Sequence, residues 1–269
     1  MEVALNVFLT GASSGLGWAL AEEFVRRGAT VGLVARRADK LAQFVAAHPT
    51  ANITLYTLDV TDSVALQAAA DDFIQKHGVP DIVVANAGIS AGSVSGLGDL
   101  DVFRRVMAVN YLGMVATFEP FVDTMRTQRK GILVGIASVA GVRGLPGAGA
   151  YSASKAAAMR YLESLRVELR GTGISVVTIA PGYIRTPMTD HNPYRMPFLM
   201  EANVFAAKAV DAMLAKRRFI VLPWPMRLVA MVLHVLPRFL YDFAFAKAPH
   251  KPRASAASDQ APDRKRSSD

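Results

Sequence analysis

Up to about residue 222 the chain alternates two kinds of segment. Short runs rich in β-branched residues lie at 3–9, 30–35, 53–58, 81–85, 131–137, 174–179 and 219–222, each bounded by glycine, proline or polar residues. Such runs read as strands buried on both faces. Between them, residues 16–27, 40–47, 64–76, 100–127 and 151–170 repeat apolar side chains at helical spacing. A strand that must return parallel to its neighbour needs a crossover, and the right-handed crossover through a helix is the rule. The alternation therefore predicts one α/β domain, doubly wound, with a seven-stranded parallel sheet covered by helices on both faces.

Composition supports one large domain and narrows the chemistry. The chain has 269 residues, of which 52% are hydrophobic, enough to bury a substantial core. With no cysteine, disulfides and thiolate metal sites are excluded. The five histidines are scattered without metal-ligand spacing, so no metal is expected. The net charge of +8 sits partly in a polar tail and partly around the segment at 216–245, and no nucleic-acid motif accompanies it. The opening MEVALNVFLTG has no basic leader and reads as the first strand. The expected compartment is the cytoplasm, with attachment to the cytoplasmic face of a membrane if the carboxyl segment binds lipid.

The first strand runs directly into TGASSGLG, residues 10–17, and then into a helical stretch. Gly11 suits a tight turn, Gly15 lets backbone approach a pyrophosphate, and Gly17 lets the helix pack closely. The helix start adds unpaired N–H groups and a positive dipole end for phosphates. Read functionally, Gly11, Ser13, Ser14, Gly15, Leu16 and Gly17 form the phosphate loop of a Rossmann-like dinucleotide site; read blandly, they form an ordinary strand-to-helix turn. At the end of the second strand, where an acidic residue would grip a ribose 2′-hydroxyl, stand Arg36 and Arg37. Guanidinium groups there suit a 2′-phosphate, which predicts NADP(H). The alternative is solvated surface charge.

The stretch GILVGIASVAGVRGLPGAGAYSASK, residues 131–155, places Ser138 after a strand and Tyr151 and Lys155 four apart. On a helix that spacing puts both on one face. A neighbouring ammonium is expected to lower the phenol pKa, making Tyr151 a general acid or base near neutrality. Ser138 is placed to hydrogen-bond a reacting carbonyl oxygen. Singly, each of these residues is more often a surface or turn residue.

With TGASSGLG at 10–17, DV at 59–60, NAG at 86–88, Asn110, Ser138, YSASK at 151–155 and PGYIRT at 181–186 in this order, residues 3 to 223 resemble the short-chain dehydrogenase/reductase family. By that resemblance Asp59 and Val60 hold the adenine. Asn86, Ala87 and Gly88 line the cofactor cleft, and Pro181, Ile184 and Thr186 pack beside the nicotinamide. Tyr151 protonates the carbonyl oxygen, Lys155 also binds the nicotinamide ribose, Ser138 orients the substrate, and Asn110 positions a water in the proton relay. The family often has two asparagines before AG, whereas here the first is Ala85. The resemblance also implies a homodimer or homotetramer.

Beyond Thr186 the expected lid, about 186–205, carries Met188, Tyr194, Met196, Phe198, Leu199 and Met200. An apolar lid favours a lipophilic substrate; the alternative is that these side chains pack on the sheet or on a partner. The catalytic domain is expected at 1–223, followed by an apolar, basic helical extension at 224–245 and a disordered tail at 246–269. A spanning helix needs about 20 uninterrupted apolar residues. Only 11 residues separate Pro225 from Pro237, so spanning is disfavoured. From Lys216 to Tyr241 there are five Lys or Arg and no acid. Arg227, His234 and Arg238 fall on one polar stripe, as in a helix lying flat at a membrane surface. Packing on the protein's own core or at a dimer contact is the alternative. This arrangement is similar to the membrane-associated ketosphingolipid and steroid reductase branch. Three functions are in view: an NADP(H)-dependent reductase of a lipophilic ketone, a soluble reductase of small carbonyls whose carboxyl segment dimerises, and a dinucleotide-sensing regulator.

Overall fold

A computed structural model describes residues 5–190, 195–246 and Arg253. Seven strands form one parallel sheet: β1 (Asn6–Thr10), β2 (Thr30–Ala35), β3 (Ile53–Thr57), β4 (Ile82–Ala85), β5 (Gly131–Ile136), β6 (Ile174–Pro181) and β7 (Phe219–Leu222). Their order is β3-β2-β1-β4-β5-β6-β7. The order reverses between β1 and β4, and a crevice opens at the carboxyl ends of the strands there, where open α/β sheets bind ligands.

Strand periodicity sorts side chains onto two apolar layers. Val7 and Leu9 of β1, Ile82 and Val84 of β4, and Val134 of β5 face one layer with α1 (Gly15–Arg26) and α2 (Ala38–Ala47). Phe8, Val83 and Leu133 face the other, against Phe73 of α3 (Ser63–His77) and Leu162 of α6 (Gly149–Glu168). Both layers are almost fully buried, so the central strands carry no polar face to reveal them.

Three findings differ from the sequence expectation. The predicted helix at 100–127 is α4 (Leu100–Met107), one π turn (Ala108–Leu112) and α5 (Gly113–Gln128). The segment after residue 201 is not only lid: α7 (Ala202–Leu214) buries Phe205, Val210 and Met213 and packs on α1. The carboxyl extension is two helices, α8 (Pro225–Val235) and α9 (Arg238–Phe245), bent by 118° at Pro237. Proline cannot donate to the helix ladder, and the bend carries Arg238 onto a different axis. The Arg227–His234–Arg238 stripe is therefore broken. What α8 exposes is mainly apolar, with Leu228, Met231, Val232 and Val235 outside and Met226 and Ala230 buried.

Among the described residues no single helix is long and apolar enough to cross a membrane. Most of the expected disordered tail, and Tyr194 of the expected lid, lie outside the described residues. Arg253 is placed: it bridges to Gly92 and pairs with Asp99 at 2.9 Å.

Candidate active site

A cleft of about 430 Å³ runs along the carboxyl ends of the strands, and every residue assigned to the cofactor from the sequence lines it. The glycine turn is shaped by close approach. Gly11 (φ +73°) has no room for a Cβ, which would fall 2.7 Å from Cα of Ala87. A Cβ on Gly17 would fall 2.1 Å from the carbonyl oxygen of Gly11. Asn86 braces this turn, its Nδ2 donating to the carbonyls of Thr10 (3.0 Å) and Gly11 (3.3 Å). The fully buried Thr10 hydroxyl in turn accepts from the backbone N–H groups of Asn86 and Ala87. Sequence reasoning gave Thr10 no role, because its contribution is to hold two loops together rather than to touch a ligand.

The two arginines after β2 behave differently. Arg37 donates from Nε (3.1 Å) and Nη2 (2.9 Å) to Ser13 Oγ, and from Nη2 to Ser14 Oγ (2.6 Å). Its guanidinium thus sits over the glycine turn. Arg36 forms a 3.3 Å ion pair with Asp59, whose carboxyl lies below its usual range: burial raises it, but hydrogen bonds from Thr61 and the Arg36 charge outweigh that.

At the other end of the cleft, Tyr151 opens α6, and Lys155 one turn on is buried with Nζ donating to the Ile136 carbonyl at 2.8 Å. Lys155 Nζ is 5.9 Å from the Tyr151 ring centroid. The sequence expectation of a lowered Tyr151 pKa is reversed here. Burial raises Tyr151, and a hydrogen bond with Ser138 is the counter-influence, not Lys155. Burial also lowers Lys155 to about 8. Desolvation disfavours both charged forms, and the Lys155 ammonium is spent on a backbone carbonyl.

Asn110 is fully buried in the π turn. Its Oδ1 accepts from Ile89 N (2.8 Å), and its Nδ2 donates to Ile89 O (2.9 Å) and Ser154 Oγ (3.0 Å). Its side chain is occupied in tying the 86–89 loop to α6. A Cβ on Gly88 would lie 3.4 Å from Asn110 Oδ1 and 3.5 Å from Lys155 Nζ, so these two groups flank Gly88. π turns are often found at functional sites, where the extra residue re-aims a side chain.

A second cavity, about 400 Å³, adjoins the first. Ser138 lines only this one, whereas Tyr151 lines both and stands where they meet. Of the apolar lid residues named from the sequence, Met188 alone among the described ones lines it. Met200 instead packs on the core beside α7, and Phe198 faces outward. The apolar wall comes from Met226, Val229 and Leu233 of α8 and Phe245 of α9, joined by Leu145 and Pro146. Gly182 permits this: a Cβ there would meet Met226 Cγ at 2.6 Å. Arg143 and Arg195 also line this cavity, and no sequence signal had singled them out.

The short chain dehydrogenase family model matches residues 5–195. The chain belongs to that family. An uncharacterized oxidoreductase of Myxococcus xanthus is 36% identical over 241 residues, covering 89% of this chain and 95% of that protein. Dehydrogenase/reductase SDR family member 7B of Bos taurus is 32% identical, covering 94% and 83%. A crystal structure of a short-chain dehydrogenase from Streptomyces avermitilis, 28% identical, superposes with a TM-score of 0.75 over 90% of this chain and 94% of its own. As a short-chain dehydrogenase the chain is an oxidoreductase; two solved structures of this fold, 24% and 23% identical, are complexes with 5-hydroxy-NADP and with NAD. The glycine turn, open where a side chain would collide, and the guanidinium of Arg37 above it fit such a group.

Proposed function

We propose that this chain is an NADP(H)-dependent oxidoreductase that interconverts a ketone and a secondary alcohol on a lipophilic substrate. The observation that carries the reading is Tyr151, a phenol shared by the dinucleotide cleft and an apolar second cavity. Gly11 to Gly17 and Arg37 would hold the phosphates, Asp59 and Val60 the adenine end, and Pro181, Ile184 and Thr186 the nicotinamide end. The bound nicotinamide supplies or accepts the hydride. The rest falls to the chain. Because burial keeps Tyr151 protonated at neutral pH, its phenol donates a proton to the carbonyl oxygen during reduction. Ser138 orients that oxygen and hydrogen-bonds the charge developing on it. Lys155 brings a titratable ammonium to the floor of the site, and Asn110 fixes the loop beside it. Met226, Val229 and Leu233 exclude water from the substrate.

The lipophilic reading also draws on the outer surface of α8 and α9. Val235 is 75% exposed, Trp224 71% and Phe243 87%, and the same stretch of sequence carries Lys216, Arg217, Arg218, Arg227 and Arg238. Apolar faces rimmed by cations suit an anionic lipid surface. One pair of helices would thus face lipid on one side and the substrate cavity on the other.

The test is NADPH oxidation against a panel of ketones of increasing chain length, with Tyr151→Phe as control. Turnover should rise with chain length, and Tyr151→Phe should lose it by about 10²-fold or more while still binding NADPH. If NADPH binds but no ketone is reduced, the chain is a dinucleotide sensor. If only short ketones react, it is the small-carbonyl reductase.

A further inference from the structure

We propose that the substrate carries an anionic group, received by Arg143 and Arg195 in the wall of the second cavity; this rests on the reductase reading above. Among the described residues the cavity lining is apolar except for a few hydroxyl groups and these two guanidinium groups, and it contains no carboxylate. Among the described residues neither arginine forms an ion pair. Most of the other buried or bridging arginines do: Arg27 meets Glu23 and Asp211, and Arg253 meets Asp99.

Arg143 is half-buried, and its position is built rather than incidental. Its guanidinium carbon lies 4.6 Å from the ring centroid of Tyr241 in α9. The Tyr241 hydroxyl donates to the carbonyl of Gly144, the next residue in the same loop. α9 therefore fixes both the loop and the guanidinium plane. Stacking on a ring directs a cation without neutralising it. A partly desolvated guanidinium without a counter-ion is costly, and it presents a planar fork that carboxylate, sulfonate and phosphate oxygens match in pairs. With two cations and no acid among its described lining residues, the wall presents a positive field to a ligand in the cavity. The ligand that fits is an amphiphile: an apolar chain against α8, a ketone at Tyr151 and Ser138, and a carboxylate, sulfonate or phosphate ester at Arg143. Tyr241 is a positioning residue for that contact.

The experiment compares kcat/KM for a long-chain keto acid and its methyl ester in the wild type, Arg143→Met and Arg143→Lys. Wild type should favour the acid, and Arg143→Met should lower the acid-to-ester ratio about tenfold or more, with partial recovery in Arg143→Lys. A ratio that is the same in all three overturns the anionic subsite while leaving the reductase reading standing. In parallel, decyl phosphate and inorganic phosphate are titrated calorimetrically into the full chain with NADP⁺. Decyl phosphate should bind wild type about tenfold more tightly than Arg143→Met, and inorganic phosphate should bind far more weakly than decyl phosphate. Equal binding of inorganic phosphate overturns the chain-linked class. If no ketone is reduced yet decyl phosphate distinguishes wild type from Arg143→Met, the subsite stands and the reductase reading falls.

Discussion

Replacing Lys155 with methionine should abolish turnover and yet make the protein more stable at neutral pH. Lys155 is 4% exposed, with the Ile136 carbonyl as its hydrogen-bond partner and no carboxylate beside it among the described residues. Burial lowers its pKa from 10.5 to about 8, and each unit is worth about 1.4 kcal/mol, so burying the ammonium costs about 3 kcal/mol at pH 7. Methionine fills a similar volume without charge. It forfeits one hydrogen bond to a backbone carbonyl, about 1 kcal/mol. The balance is about 2 kcal/mol in favour of the variant, or roughly 4–8 °C in Tm. The sign with pH follows from linkage. Below pH 8 the lysine is charged folded and unfolded, and the full cost is present. Between pH 8 and 10.5 the unfolded chain binds more protons than the folded one, so wild-type stability rises with pH. The variant has no such term. Melting curves of both proteins from pH 7 to 10.5 should therefore converge above pH 8 and then cross. A pH-independent gap, or a variant less stable at pH 7, would refute the argument.

Two further outcomes test separate parts of the reading. Arg37→Glu removes the guanidinium that Ser13 and Ser14 hold and puts like charge against a 2′-phosphate; the NADPH-to-NADH ratio of kcat/KM should fall about 10²-fold, and an unchanged ratio would remove the basis for NADP(H) preference. The triple variant Val235→Glu, Phe239→Glu, Phe243→Glu alters outward positions only, leaving Met226, Val229 and Leu233 intact. At about 1.5–3 kcal/mol for each buried apolar side chain it should reduce flotation with anionic vesicles by two orders of magnitude or more. Undiminished flotation overturns the lipid-surface reading, as does a wild type that only dimerises on a sizing column.

Much of the fold was legible because period and punctuation agreed. Residues 30–35 and 219–222 are strands to the residue, since β-branched runs there end at polar or proline boundaries. That the named residues would line one cleft was legible because they sit at the ends of strands in a fixed order. Three things were not. α7 was hidden by the apolar stretch before it, which invites reading as a lid. The exchange of roles between Ser138 and Lys155 around Tyr151 depends on how deeply α6 packs against β5, which spacing does not encode. Arg143 sits in a loop whose glycines and proline mark a turn but say nothing of where the side chain goes. It acquires meaning only when Tyr241, far along the chain, is brought back onto it by the bend at Pro237.

The π turn at Ala108–Leu112 also explains why 100–127 looked like one helix. An α-helix advances by about 100° per residue, and one additional residue in a turn resets the angular phase of everything after it. α4 can then aim Val102 and Val106 at α6, while α5 independently aims Met114, Phe118 and Phe121 at the sheet and α3. Asn110 occupies the joint, and from there its side chain reaches Ile89 and Ser154 together.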